Sequence, residues 1–218
     1  MLEEMSAFFE ARLEGYDAHM LENIQDARAF YPFTAACLPD GSGCRVLDLG
    51  CGTGLELEYY FARNPSAQIC GIDLSAKMLE ALHHKFPDKA LDLRIGSYFD
   101  LPFGEEAFDA AVSVESLHHF TKEEKIPLYT KLKQALKPGG FFILTDYFSL
   151  SEEEERAHRQ ELLRLKAEQG LTDGQFYHYD TPLTVAHETE ALLAAGFATV
   201  EVLGQWGATV TLRAGRDT

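Results

Sequence analysis

The run Val46-Leu47-Asp48-Leu49-Gly50-Cys51-Gly52-Thr53-Gly54 limits the fold of this chain more than any other stretch. An apolar, strand-like lead enters a loop with glycine at every second position, and the next strand-like run ends in a lone carboxylate, Asp73. Glycine lets the main chain turn sharply and approach a ligand with no Cβ in the way. An acid about 20 positions beyond such a loop can accept hydrogen bonds from ribose hydroxyls. Together the two features point to a cofactor that contains adenosine. A dinucleotide fingerprint, G-x-G-x-x-G, would place glycine at position 55. This chain has Leu55 there.

From Arg45 onward, strand-like and helix-like runs alternate, which predicts a parallel α/β sheet. The strand candidates are 45–50, 68–73, 91–96, 108–114 and 140–147, each rich in Val, Ile, Leu or Phe, as expected where both faces of a sheet are covered. Ser75 is placed to cap a helix carrying Met78, Leu79 and Leu82, and Thr121 with Glu124 forms a capping box. Thr184 caps a helix that stops at Gly196. Beyond it, Thr199–Leu203 and Thr209–Arg213 read as strands joined by the turn Gly204-Gln205-Trp206-Gly207. Two segments fall outside this pattern. Residues 1–44 carry Phe8, Phe9 and Leu13 at helical spacing. Residues 150–182 open with Ser151 and four glutamates, a solvated helix start that suits the positive end of the helix dipole. Leu162, Leu163 and Leu165 follow as an apolar stripe. The aromatic cluster Phe176-Tyr177-His178-Tyr179 either lines a pocket or docks this segment.

Four further segments extend the first. Ile69-Cys70-Gly71-Ile72-Asp73-Leu74-Ser75 is followed by Gly96-Ser97-Tyr98-Phe99-Asp100-Leu101-Pro102-Phe103, then by Phe108 to His119 ending in Leu-His-His, then by Leu136-Lys137-Pro138-Gly139-Gly140-Phe141. In this order, over residues 46–147, the five segments resemble the motifs of the class I S-adenosylmethionine-dependent methyltransferases, of the small-molecule, ubiquinone- or menaquinone-methylase-like type. The resemblance implies a Rossmann-like α/β fold. Its seven-stranded, mostly parallel sheet ends in an antiparallel hairpin and carries helices on both faces. It also implies one methyltransferase domain over 1–218, with 1–44 and 150–182 as a lid over the acceptor pocket. The cofactor would be S-adenosylmethionine, leaving as S-adenosylhomocysteine.

On this resemblance Gly50, Gly52 and Gly54 pass beside the methionine and ribose portions. Asp48 orients the loop, meets the methionine amino group, or is satisfied entirely by loop N–H groups. Asp73 bonds the ribose hydroxyls. Leu74 and Met78 pack against adenine or belong to the core. Ser97 and Tyr98 are assigned to the cofactor side. The family usually has an acid where this chain has Ser97, so the adenine amino contact falls to Asp100, to a backbone carbonyl or to nothing. Glu115, at the carboxyl end of the fourth strand, faces the donor's methionine part or the acceptor. Tyr16 resembles an N-terminal tyrosine that closes over the cofactor. Methyl transfer from a sulfonium is an in-line displacement, so the protein chiefly holds donor and acceptor in line and excludes water. A hydroxyl, acidic carbon or protonated amine as acceptor also needs a base. His118 and His119 are the candidates; the alternative is that one caps the next helix and the other packs against the sheet.

Composition narrows the partners. With 19 basic against 35 acidic residues the net charge is −16, which repels phosphate backbones and disfavours nucleic acid. Ser113-Val114-Glu115-Ser116 is not the N/D-P-P-Y motif of nucleic-acid amino-methylating enzymes, and no glutamate pair has arginine-clamp spacing, so a small-molecule substrate remains. Cys37, Cys44, Cys51 and Cys70 form no C-x-x-C pair and have no histidine at ligand spacing. No metal site is therefore expected, and the pattern fits reduced thiols in the cytoplasm. Cys51 reads as a small residue tolerated in a tight turn. No apolar stretch reaches membrane-spanning length, and the N-terminus lacks a basic signal-peptide start. Two other functions compete: a non-catalytic S-adenosylmethionine-binding protein, and an NAD-dependent oxidoreductase, which Leu55 and the terminal hairpin disfavour.

Overall fold

The computed structural model describes residues 1–171 and 175–217; part of the 150–182 segment, at 172–174, lies outside the described residues. Among the described residues, seven strands form one sheet: β1 (Arg45–Leu49), β2 (Gln68–Asp73), β3 (Ala90–Ile95), β4 (Phe108–Val114), β5 (Leu136–Tyr147), β6 (Thr199–Trp206) and β7 (Thr209–Gly215), in the order β3-β2-β1-β4-β5-β7-β6. β1 to β5 pair in parallel, and β7 runs antiparallel to both its neighbours. This is the α/β class read from the sequence.

The helices are α1 (Met5–Ala11), α2 (Tyr16–Asn23), α3 (Ala27–Cys37), α4 (Leu55–Arg63), α5 (Ala76–Lys85), α6 (Lys122–Ala135), α7 (Glu152–Gln169) and α8 (Val185–Ala194). A 3₁₀ turn covers Leu117–His119. The caps form as the sequence suggests. Ser75 Oγ accepts from Met78 N–H, Thr121 and Glu124 complete their capping box, Ser151 accepts from Glu154 N–H and Thr184 from His187 N–H. Side chains alternate across each strand, so two cores arise. Val46, Ile69, Val112 and Ile143 pack beneath α3, α4 and α5, while Leu47, Leu49, Ile72 and Leu144 pack on the opposite face with α6 and α8. Asp48 shares the face of Val46 and therefore points towards α4.

Two local expectations are corrected. The hairpin turn is Gly207-Ala208, not 204–207, because β6 continues to Trp206. Gly204 serves close packing instead: a Cβ there would lie 2.7 Å from Trp206 Cη2, and the register shifts between Val202 and Gly204. β5 begins at Leu136 rather than 140, because Leu136 already pairs with Phe108 beside a register shift in β4.

Candidate active site

Strand order reverses between β1 and β4, and the loops leaving their carboxyl ends diverge to open a crevice. After β1, Gly50 lies at φ +73°, and a Cβ there would fall 2.1 Å from Ser116 Oγ. Only glycine allows the two loops to approach so closely. After β4, Glu115 takes φ +49°, a conformation rare for a residue with a side chain and one that tends to occur at functional sites. Thr145 holds it, its carbonyl accepting from Glu115 N–H at 2.9 Å.

Two cavities meet at this crevice. The smaller, of about 60 Å³, is walled by Gly50, Gly52, Asp73, Leu74, Met78 and Tyr98. The larger, of about 830 Å³, is lined by Phe8, His118, Tyr147, His178, Asp180 and Trp206, among others. Phe9, Tyr16, Glu115 and His119 line both. Most of the sequence-derived residues thus converge. Gly54, Asp48 and Ser97 do not reach either wall. Ser97 Oγ instead accepts from Phe99 N–H at 3.1 Å, and Asp100 is exposed outside both cavities. Tyr98 is on the wall, its hydroxyl 3.2 Å from Ser116 Oγ.

Asp73 is fixed by Gly52 N–H (2.9 Å) and Ser75 N–H (2.8 Å), one to each carboxylate oxygen. Burial still raises its carboxyl above the ordinary range. Asp17 ties α2 to the loop: Thr53 Oγ1 donates to it at 2.5 Å and Lys85 Nζ stands 2.6 Å away, so Tyr16 is held over the crevice. The N-terminal segment and the 150–182 segment join above the larger cavity. Met5 N–H donates to Phe176 O, and His178 N–H to Glu3 O. Phe176 docks against Phe99 and Phe120, whereas His178 stacks on Phe8 with centroids 3.5 Å apart and faces the cavity. The aromatic cluster therefore does both jobs proposed for it.

The histidine pair is organised by two acids that sequence reasoning missed, Asp146 against His118 and Asp180, whose Oδ1 lies 3.1 Å from His119 Nδ1. His118 Nδ1 donates to Asp146 Oδ1 at 2.5 Å, and the other oxygen accepts from Leu117 N–H at 2.9 Å. Register explains the contact: Val114 pairs with Thr145, which sets Asp146 level with the residues after β4. Burial would neutralise His118, but Asp146 outweighs it and pushes the imidazole up to about 9. Burial and the charge of His118 hold His119 down to about 4, so it is neutral at pH 7. Burial and Asp146 raise Glu115 to about 7. The helix that follows is capped by Thr121, so neither histidine caps it. A carboxylate at the carboxyl end of β5, beside the reversal of strand order, was the signal available for Asp146.

Asp48 is not satisfied by loop N–H groups. Its Oδ2 and Glu56 Oε1 are buried without a hydrogen-bond partner. Burial raises both carboxyls, Asp48 the more, so the pair holds a proton more tightly than free carboxyls do. A raised value means that the folded chain binds more protons than the unfolded one, so this pair makes stability fall as pH rises from the ordinary carboxylate range. Glu56→Gln supplies an amide N–H in place of the shared proton. Its denaturant midpoint is expected to gain on the parent as pH rises above the ordinary carboxylate range, by about 1 kcal/mol. Parallel pH profiles for the two proteins would overturn the assignment.

Residues 47–144 match the family model of the methyltransferase domain. Over 185 residues the chain is 29% identical to an uncharacterized methyltransferase of Geobacillus kaustophilus, covering 85% of this chain and 82% of that protein. Its fold is that of an S-adenosylmethionine dependent methyltransferase from Mesorhizobium loti, with a TM-score of 0.61 and 24% identity over 85% of this chain and 96% of that one. Residues 47–144 form a methyltransferase domain, and the chain is similar to the class I S-adenosylmethionine-dependent methyltransferases. It is also 33% identical over 140 residues to the tRNA (carboxymethyluridine(34)-5-O)-methyltransferase of Arabidopsis thaliana; that match covers 63% of this chain and spans only 33% of the plant protein.

Two features of this crevice suit the ribose portion of S-adenosylmethionine. Gly52 faces the smaller cavity with no atom within 4 Å of a Cβ built on it, so main chain itself forms the wall there. Opposite, Asp73 presents a carboxylate already oriented by two N–H groups. Among the described residues, no helix is long and apolar enough to cross a membrane.

Proposed function

We propose that this protein transfers a methyl group from S-adenosylmethionine to a small-molecule acceptor held in the 830 Å³ cavity. The observation that carries the reading is the shared wall: Phe9, Tyr16, Glu115 and His119 border both cavities, so ligands in the two would meet there. The bound cofactor supplies an electrophilic methyl on a sulfonium. Asp73 accepts from the ribose hydroxyls, the Gly50–Gly54 loop offers main-chain groups, Leu74 and Met78 cover the base, and Tyr16 closes the site. Residues 1–44 and 150–182 act as the lid that excludes water. The His118-His119-Asp180 cluster stands beside the acceptor's nucleophilic atom and handles its proton. Four free cysteines support a cytoplasmic setting.

Two measurements test this. Asp73→Ala is expected to weaken S-adenosylmethionine binding by about 1–3 kcal/mol in calorimetry, since hydroxyls lose a charged acceptor. An unchanged affinity would place the ribose elsewhere. S-adenosylhomocysteine release is then screened over a panel of small hydroxyl and amine compounds beside bulk tRNA. Release with a small compound and none with tRNA is expected, because a −16 chain repels a polyanion. Release with tRNA alone would overturn the small-molecule acceptor. Tight cofactor binding with no release over the panel would favour a binding protein.

A further inference from the structure

We propose that His118, His119 and Asp180 form a site for a divalent first-row transition-metal ion facing the acceptor cavity. One ligand atom from each lies within 4.8 Å of the other two. Asp180 Oδ1 is 3.5 Å from His118 Nε2 and 3.1 Å from His119 Nδ1, separations that suit three ligands of one ion at metal–ligand distances near 2.1 Å. That oxygen is shut off from solvent and accepts no hydrogen bond, so a carboxylate oxygen stands between two imidazoles with its hydrogen-bonding capacity unused.

The surroundings are those of a ligand set rather than of a chance cluster. His118 turns Nε2 towards Asp180 because Nδ1 is bound to Asp146 at 2.5 Å, the carboxylate–histidine support that orients metal-bound imidazoles. His119 Nδ1 lies 3.3 Å from the Tyr179 carbonyl; a metal ion on Nδ1 would select the tautomer with its proton on Nε2. Two imidazoles and one carboxylate suit borderline metals, and such sites keep open positions for a substrate atom. All three residues line the 830 Å³ cavity, which lets the acceptor's oxygen complete the coordination. The expectation of no metal weighed only ligands close in sequence, whereas the third ligand here lies 61 positions beyond its nearest partner. Occupancy of the site stands on its own geometry, while its part in activating the acceptor rests on the methyl-transfer reading.

Cobalt(II) tests it directly. Full-length protein stripped with a chelator is titrated with CoCl₂ and followed by visible absorption, with S-adenosylmethionine binding measured on the same preparations. One equivalent of Co²⁺ should give saturable d–d bands, and Asp180→Asn and His119→Ala should each weaken uptake at least tenfold while retaining the cofactor. Asp146→Asn should weaken it by about 10–100-fold. No saturable band at millimolar Co²⁺, or uptake undiminished in Asp180→Asn and His119→Ala, would overturn the metal site. If S-adenosylmethionine still binds in that case, the methyltransferase reading survives. Co²⁺ uptake without cofactor binding would instead sink that reading and leave the metal site standing.

Discussion

Glu188→Ala is expected to cost about 3–5 kcal/mol of folding stability, the loss seen when one partner of a buried ion pair is removed. Lys125 on α6 and Glu188 on α8 are each 1% exposed, with Nζ and Oε2 2.6 Å apart, and Tyr129 donates its hydroxyl to the second glutamate oxygen. Removing the carboxylate strands an ammonium and a phenol in an apolar layer between Leu128, Leu132 and Leu192. The pair is not the cheapest solution for that layer. Replacing the whole triad with apolar residues, as in Lys125→Met, Tyr129→Phe and Glu188→Leu together, is expected to restore stability to the parent's level or above it. Urea denaturation with unchanged m-values checks both outcomes. A single variant that unfolds at the parent's midpoint would mean that water reaches the pair.

The strands were legible because parallel strands covered on both faces are continuous apolar runs, and β1 to β4 begin and end within a residue of the positions read from sequence. The caps were legible because they are local: Ser75, Thr121, Ser151 and Thr184 each act on the N–H group three residues away. Gly204 misled because glycine serves two ends, positive φ and close approach, and only the tertiary neighbour Trp206 reveals which one applies. The start of β5 misled because Leu136 joins the sheet through its register with Phe108.

The site divides in the same way. Gly50, Gly52, Asp73, Glu115 and the histidine pair lie in short motifs whose chemistry is local, and all six line the crevice. Asp146 and Asp180 come to it from a strand end and a distant loop, and Glu56 meets Asp48 from a helix start. No spacing in the sequence records those approaches. Glu56 carried a faint signal, an acid between Leu55 and Leu57 in a helix whose first turn is buried. The alternation of β1 then aims Asp48 at it, so what looked like a loop contact is a carboxyl pair within the core.

His119→Ala should lower turnover by about 10²–10⁴-fold, the range for losing a positioned proton-transfer group, with S-adenosylmethionine affinity little changed. Of the two imidazoles it is the one able to receive a proton at neutral pH. His118 is pushed up to about 9 by Asp146 and is already charged, whereas His119 is held down to about 4 and keeps a free lone pair. Only His119 of the two borders both cavities, which puts it beside the line joining donor and acceptor. The same residue is needed if a metal ion activates the acceptor, because one of three ligands is then lost. Added Co²⁺ separates these cases: a metal-dependent enzyme recovers part of its turnover in His119→Ala as the ion is raised, and a simple base does not. Single-turnover methyl transfer, measured on the first acceptor the screen returns, isolates the chemical step from product release. Turnover equal to the parent's would show that the acceptor loses its proton to another group, and would leave His119 a packing residue between Phe9 and Phe120.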